Sequence, residues 1–155
     1  MARTPPVGAS ELPCFSTAVR KASRRLTQLY DEALAASGLR STQFTILAEI
    51  DLGSKPPPTV AALARRLVMD RSALGHNLRP LVRDGLVRLE ASDSDQRRRQ
   101  VTLTAKGLAT LRAAMPLWRR AQQRFGAVLG AAAARDLRAT MLAIARNERL
   151  ATLTD

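Results

Sequence analysis

A single cysteine, Cys14, excludes an intrachain disulfide and any multi-cysteine zinc site. A single histidine, His76, leaves no pair for a metal and no partner for a nucleophilic dyad. There is no glycine-rich phosphate loop and no acid–base pair at useful spacing, so neither an enzyme nor a cofactor is expected. Aromatic residues make up only 3% of the chain, so Ala, Leu and Val must supply the packing, a mix that leans to helix. No apolar run approaches the roughly 20 residues that span a bilayer. The N-terminus, MARTPPVGASELP, lacks the apolar core of a signal peptide. The expectation is a soluble, cytoplasmic protein without a membrane partner.

Positive charge is abundant. The 155 residues carry 25 Lys and Arg against 13 Asp and Glu, a formal net charge of +12. Such a surplus favours a polyanionic partner. Of the basic residues 22 are Arg, which suits bidentate contacts with phosphate and guanine but also fits the composition of a GC-rich genome. The ratio alone decides neither.

Residues 1–13 hold three prolines and read as a loosely ordered tail. From Phe15, apolar residues recur at helical spacing through Val19, Ala22, Leu26, Leu29 and Ala33, with Arg20, Lys21, Arg24 and Arg25 opposite. Gly38 is read as the C-cap and Ser41 as the N-cap of a second helix to about Leu52. GSKPPP is a connector. Short helices then start at Thr59 and near Asp70, the first burying Val60, Leu63, Ala64 and Leu67, the second Leu74, Leu78 and Leu81. Pro80 falls inside the second and implies a kink. LVRLEA and RQVTLT alternate as two strands, with SDSDQRR as the hairpin tip. Thr104 caps a long helix bent at Pro116 and interrupted by FGAVLG, and a last helix aligns Leu137, Met141 and Ile144.

This order makes the fold mainly α with a small β-hairpin wing: a winged helix-turn-helix flanked by N- and C-terminal helices. The flanking stripes exceed what one small lobe can cover, so a two-fold dimer is expected. Residues 14–155 read as one domain, with 14–55 and 107–155 as the helical dimerisation region and 56–106 as the DNA-binding lobe. In a helix-turn-helix the second helix enters the major groove, which here presents Asp70, Arg71, Ser72, Ala73, Gly75, His76, Asn77 and Arg79. Arg71 suits guanine or phosphate, Asn77 suits adenine, and Asp70 or Ser72 suits the helix cap. The wing tip would bring Asp95, Arg97, Arg98 and Arg99 to the adjoining minor groove, whose negative potential attracts arginine. A non-specific nucleoid- or RNA-binding protein is the competing reading: residues 107–155 carry eight basic groups against three acidic ones. The paucity of aromatics for base stacking weighs against it.

The chain resembles the MarR family of bacterial transcriptional regulators over about residues 14–150. DQRRRQVTLTAKG fits that family's wing pattern through Asp95, Arg97, Val101, Leu103, Thr104 and Gly107. LARRLVMDRSALGHNLRPLVRDGLV is similar to its helix-turn-helix, and LYDEALAASGLRSTQFTILAEI to its first two helices. The resemblance implies a dimeric repressor on a pseudo-palindromic operator, controlled by a small molecule or by oxidation. Family effectors are often phenolic or other lipophilic anions, which makes Arg20, Tyr30, Met69, Met115 and Trp118 candidate pocket residues. The family's peroxide sensors carry a reactive Cys fourteen residues before a Tyr. Counting back from Tyr30 gives Ser16, so Cys14 fits that redox pattern only loosely.

Overall fold

The computed structural model describes residues 13–53, 56–92 and 95–151; most of the expected N-terminal tail lies outside them. Helix α1 (Phe15–Leu34) runs into a 3₁₀ turn (Ala35–Ser37), which Gly38 ends in the left-handed region at φ +74°. Helix α2 follows (Ser41–Asp51), then α3 (Val60–Arg66) and α4 (Arg71–Arg83). The antiparallel strands β1 (Val87–Ser92) and β2 (Asp95–Leu103) lead into α5 (Ala105–Leu129) and α6 (Ala131–Arg146). The order agrees with the sequence reading.

One apolar core joins helices α1–α5 to the base of the hairpin. Leu34 and Leu39 meet Phe44, Ile46 and Leu47 of α2, Leu63 and Ala64 of α3, Leu74, Leu78 and Leu81 of α4, Val87 and Val101 of the hairpin, and Leu111 and Ala114 of α5. The spacing of Leu74, Leu78 and Leu81 turns one face of α4 inward, and all three are essentially fully buried. That anchoring carries the helix across Pro80 without a break.

Three local expectations need correction. The N-cap of α2 is Arg40, not Ser41. Its N–H donates to the Gln43 side chain at 2.9 Å, and the Ser41 N–H donates to the Asp31 carboxylate of α1 at 2.7 Å. The cap thus comes from a neighbouring helix, which leaves Ser41 free to start the first turn. Next, α5 is not interrupted by FGAVLG. Gly126 stays helical, and only Gly130, at φ +91°, ends the helix. Finally, most of SDSDQRR is strand: Ser92 pairs with Asp95 and Ala91 with Arg99, leaving 96–98 as the extra length of a bulge.

The hairpin is locked at its base. The Thr104 hydroxyl accepts from the Gly107 N–H at 2.9 Å and donates to the Gly85 carbonyl at 2.7 Å. Thr104 N–H reaches the Leu86 carbonyl at 3.1 Å, and Lys106 Nζ the Asp84 carbonyl at 2.8 Å. Gly107 lies so close to Leu86 that a Cβ there would overlap its carbonyl oxygen. On the other edge of β2, Val101 N–H donates to Pro58 O at 2.9 Å, and Thr59 bridges Gln100. The connector thereby holds the wing against the start of α3.

The capping contact predicts a pH dependence. Hydrogen bonds from the Ser41 side chain and backbone, with Arg40 adding attraction and partial burial opposing, hold the Asp31 carboxyl below its ordinary range. A depressed folded pKa contributes stability above the unfolded value, near 4 for a free carboxylate, and loses it as pH falls through the folded one. Asp31→Ala should therefore cost about 1 kcal/mol near neutrality, the usual worth of a helix-cap bond. The gap from wild type should narrow at acid pH, as the pH falls through the folded pKa and the ionic part of the contact is lost. Urea midpoints at neutral and acid pH check this; an equal gap at both would remove the ionic contribution.

Candidate nucleic-acid interface

Helices α3 and α4 are joined by a tight turn at Leu67–Asp70. Val68 N–H donates to Arg65 O at 3.1 Å and Met69 N–H to Ala64 O at 2.9 Å, the paired bonds of a Schellman motif. The position that favours glycine carries valine: Val68 has φ +52° and is exposed. Among the described residues it is the only non-glycine with positive φ. A left-handed L-residue costs roughly 1–2 kcal/mol. The turn holds that strain directly before the recognition helix.

Asp70 caps α4, its Oδ1 accepting from Ala73 N–H at 2.7 Å. Ser72, His76 and Arg79, at positions i, i+4 and i+7, share the exposed face opposite the buried leucines, with Gly75 half-buried between them and Arg71 exposed at the first turn. Ala73 and Asn77 lie on the flank and are half-buried. Asn77 Nδ2 donates to Ala73 O at 2.8 Å, so its amide is engaged within the helix. Reading a base through Asn77 requires that bond to be exchanged.

Beside α4 lies a cleft of about 690 Å³, lined by Thr59, Val60, Ala61, Ala64, Arg65, Met69, Asp70, Arg71 and Arg99. Three guanidinium groups from α3, α4 and β2 border one space, with Asp70 turned to its capping bond. Arg65 was not singled out from the sequence; its place in the last turn of α3 gives no motif signal. Neighbouring Arg66 instead pairs with Glu49 at 3.1 Å and ties α3 to α2. Of the four wing candidates, Arg99 is exposed and lines the cleft. The side chains of Asp95, Arg97 and Arg98 lie outside the described residues.

A second cavity, about 650 Å³, opens between α1, α2, α5 and α6. Of the five candidate pocket residues, Tyr30, Met69 and Trp118 line it. Arg20 and Met115 do not. Arg20 lies off the apolar stripe of α1, and its Nε donates to Ser16 Oγ at 3.4 Å on the exposed side. Met115 packs into the core. The sequence reading missed the contributions of α2 (Thr42, Phe44, Thr45) and α6 (Leu137, Met141). Phe44 and Trp118 stack with ring centroids 5.9 Å apart and planes at 18°. Met69 lines both cavities.

Cys14 stands before α1 as its N-cap residue. Hydrogen bonds with Thr17, and smaller contributions from the Ser16 backbone and Arg20, lower its thiol pKa, with burial opposing them. It lines neither cavity. Among the described residues no group of His, Cys, Asp and Glu is placed to hold a metal ion, and no helix is long and apolar enough to cross a membrane.

Comparison with known proteins agrees with this architecture. Residues 37–98, from the end of the first helical segment into the wing, match the MarR family model. The transcriptional regulator HosA of Escherichia coli is 33% identical over 102 residues, spanning 63% of this chain and 74% of HosA. The crystal structure of the M. tuberculosis transcriptional regulator MosR in complex with DNA superposes with TM-score 0.80 at 38% identity, covering 90% of this chain and 99% of MosR. The transcriptional repressor CouR, bound to a 23-mer DNA duplex, superposes at 0.77 with 28% identity, over 88% of this chain and all (100%) of that one. With a relative of this identity matched over most of its length, and the helix-turn-helix and the first part of the wing falling within the family model, the chain belongs to the MarR family of transcriptional regulators.

Proposed function

We propose that this protein is a dimeric transcriptional repressor that binds a pseudo-palindromic DNA operator and is released from it by a small molecule. One observation carries the DNA reading: the exposed face of α4 (Ser72, His76, Arg79) adjoins a cleft that Arg65, Arg71 and Arg99 border together. A recognition helix for base edges beside guanidinium groups for phosphates is the division of labour that specific duplex recognition needs. The DNA complexes of MosR and CouR support it. A repressor of this kind acts in the cytoplasm, where its operator lies.

The dimer reading rests on uncovered apolar side chains. Phe15 is 92% exposed and Val128 71%, and Leu137, Met141 and Ile144 of α6 are also exposed. No residue of α6 is buried. Apolar groups gathered on the first helix and the last two call for a partner surface, and a second copy offers the same stripes. The effector reading rests on the α1–α2–α5–α6 cavity and on Met69, through which an occupant would bear on the start of α4. Redox control is a separate reading, and only the lowered thiol pKa of Cys14 favours it.

Binding to a labelled operator at several salt concentrations tests the interface. Arg65→Ala and Arg99→Ala should each weaken binding to all duplexes alike and reduce the salt slope by about 1, the signature of one lost phosphate contact. An unchanged slope in both variants would remove the cleft from the interface.

A further inference from the structure

We infer that the cavity between α1, α2, α5 and α6 takes an uncharged, flat, lipophilic molecule bearing a hydroxyl or carbonyl group, and discriminates against lipophilic anions. The inference deepens the effector reading above and rests on it. About 650 Å³ falls within the roughly 300–1,000 Å³ of small-molecule sites. Its apolar floor is built by Leu26, Leu34, Ile46 and Leu67, and the stacked rings of Phe44 and Trp118 add a planar surface. No lining residue carries a charge. Arg20, the cation expected to meet an anionic effector, is not among the lining residues, and its Nε points to Ser16 Oγ on the exposed side. A carboxylate entering this space would leave water without gaining a positive partner, which is unfavourable.

The polar groups on the wall are neutral ones. Burial raises the pKa of Tyr30, so its phenol stays protonated at neutral pH. Among the described residues its hydroxyl has no hydrogen-bond partner. Thr45 and Gln122 add a hydroxyl and an amide. These groups can donate to and accept from a neutral hydroxyl or carbonyl. They suit a small molecule better than a helix of a second copy, whose apolar face would leave them unpaired. Of the exposed apolar residues assigned to that copy, Phe15, Val128 and Ile144 lie outside the lining, while Leu137 and Met141 border it.

The test is calorimetric titration of the full chain at pH 7 with two probes of one shape, neutral 4-phenylphenol and anionic biphenyl-4-carboxylate. Fluorescence of Trp118, the single tryptophan, marks occupancy of the cavity. The phenol should bind at least tenfold more tightly and change that fluorescence. Gln122→Arg, which puts a cation on the wall, should shift the preference at least tenfold toward the carboxylate. Equal or tighter wild-type binding of the carboxylate, no binding of either probe, or an unshifted preference in a folded Gln122→Arg protein would each overturn the inference. Operator binding in the same samples separates the two readings. Phenol binding that leaves DNA bound sustains the ligand class and removes the effector role; probes that fail while the operator binds remove the ligand class alone.

Discussion

A Leu137→Glu/Ile144→Glu protein should remain folded, sediment as a single chain and lose its hold on the operator by about a thousandfold or more. Both residues lie on α6, a helix with no buried side chain, so two carboxylates there disturb little within the chain. Across a dimer interface the same carboxylates would be desolvated against apolar groups and against their own symmetry mates, which is strongly unfavourable. A specific dimer commonly binds at about 10⁻⁸–10⁻¹¹ M and non-specific contacts at about 10⁻⁴–10⁻⁶ M. One lobe reading one half-site falls toward the weaker range. Equilibrium sedimentation and fluorescence anisotropy on the same preparation check both halves. A variant that still pairs and still binds would place the interface elsewhere.

Gly107→Ala should act on the fold itself. The new Cβ would overlap the Leu86 carbonyl oxygen, a backbone atom that no side-chain rotation can move away. Relief requires separating α5 from the base of the hairpin. That would break the Thr104 bonds to Gly85 and Gly107 and the Lys106 bond to Asp84. Overpacking a tight site costs typically about 1–3 kcal/mol, and the lost cap about 1 more. A loss of about 3 kcal/mol lowers the midpoint of thermal unfolding by roughly 6–12 °C in a chain of this size. Gly75→Ala, inside α4 where a Cβ meets nothing within 4 Å, is the control and should raise the midpoint by a few degrees at most, since alanine is the better helix former by about 1 kcal/mol. Equal midpoints for the two variants would contradict the locking role of Gly107.

That pair of glycines also shows what the sequence could and could not disclose. Thr104 and Gly107 were visible as part of a family pattern, but their reason is tertiary: they fasten the wing to α5. The same holds for Val101, whose side chain is fully buried. Half of the wing signature is therefore a structural joint. Helices α1 and α4 were legible because one buried stripe against a charged face leaves a strong period. The N-cap of α2 was not, because Asp31 supplies the contact from ten residues earlier. Continuity of α5 through Gly126 was hidden for a related reason, since glycine breaks a helix only where the backbone leaves it.

The candidate site divides in the same way. Asp70, Arg71, Ser72, His76 and Arg79 follow from one element and its period. Arg65 becomes visible only when α3, α4 and β2 are placed around one cleft. Cavity residues were the least legible. Their lining comes from four helices and the α3–α4 turn, and on α1 it takes the apolar stripe and Tyr30 while Arg20 falls outside it. Val68 marks the limit: sequence patterns place glycine at such a helix end, and only backbone geometry exposes the strained valine there.

Sedimentation velocity with a labelled duplex carrying an inverted repeat, beside a scrambled duplex of the same composition, tests the central claim most directly. Two chains should assemble on each symmetric duplex, at protein concentrations that leave the scrambled one free. One chain per duplex, or equal occupancy of the two sequences, would contradict it.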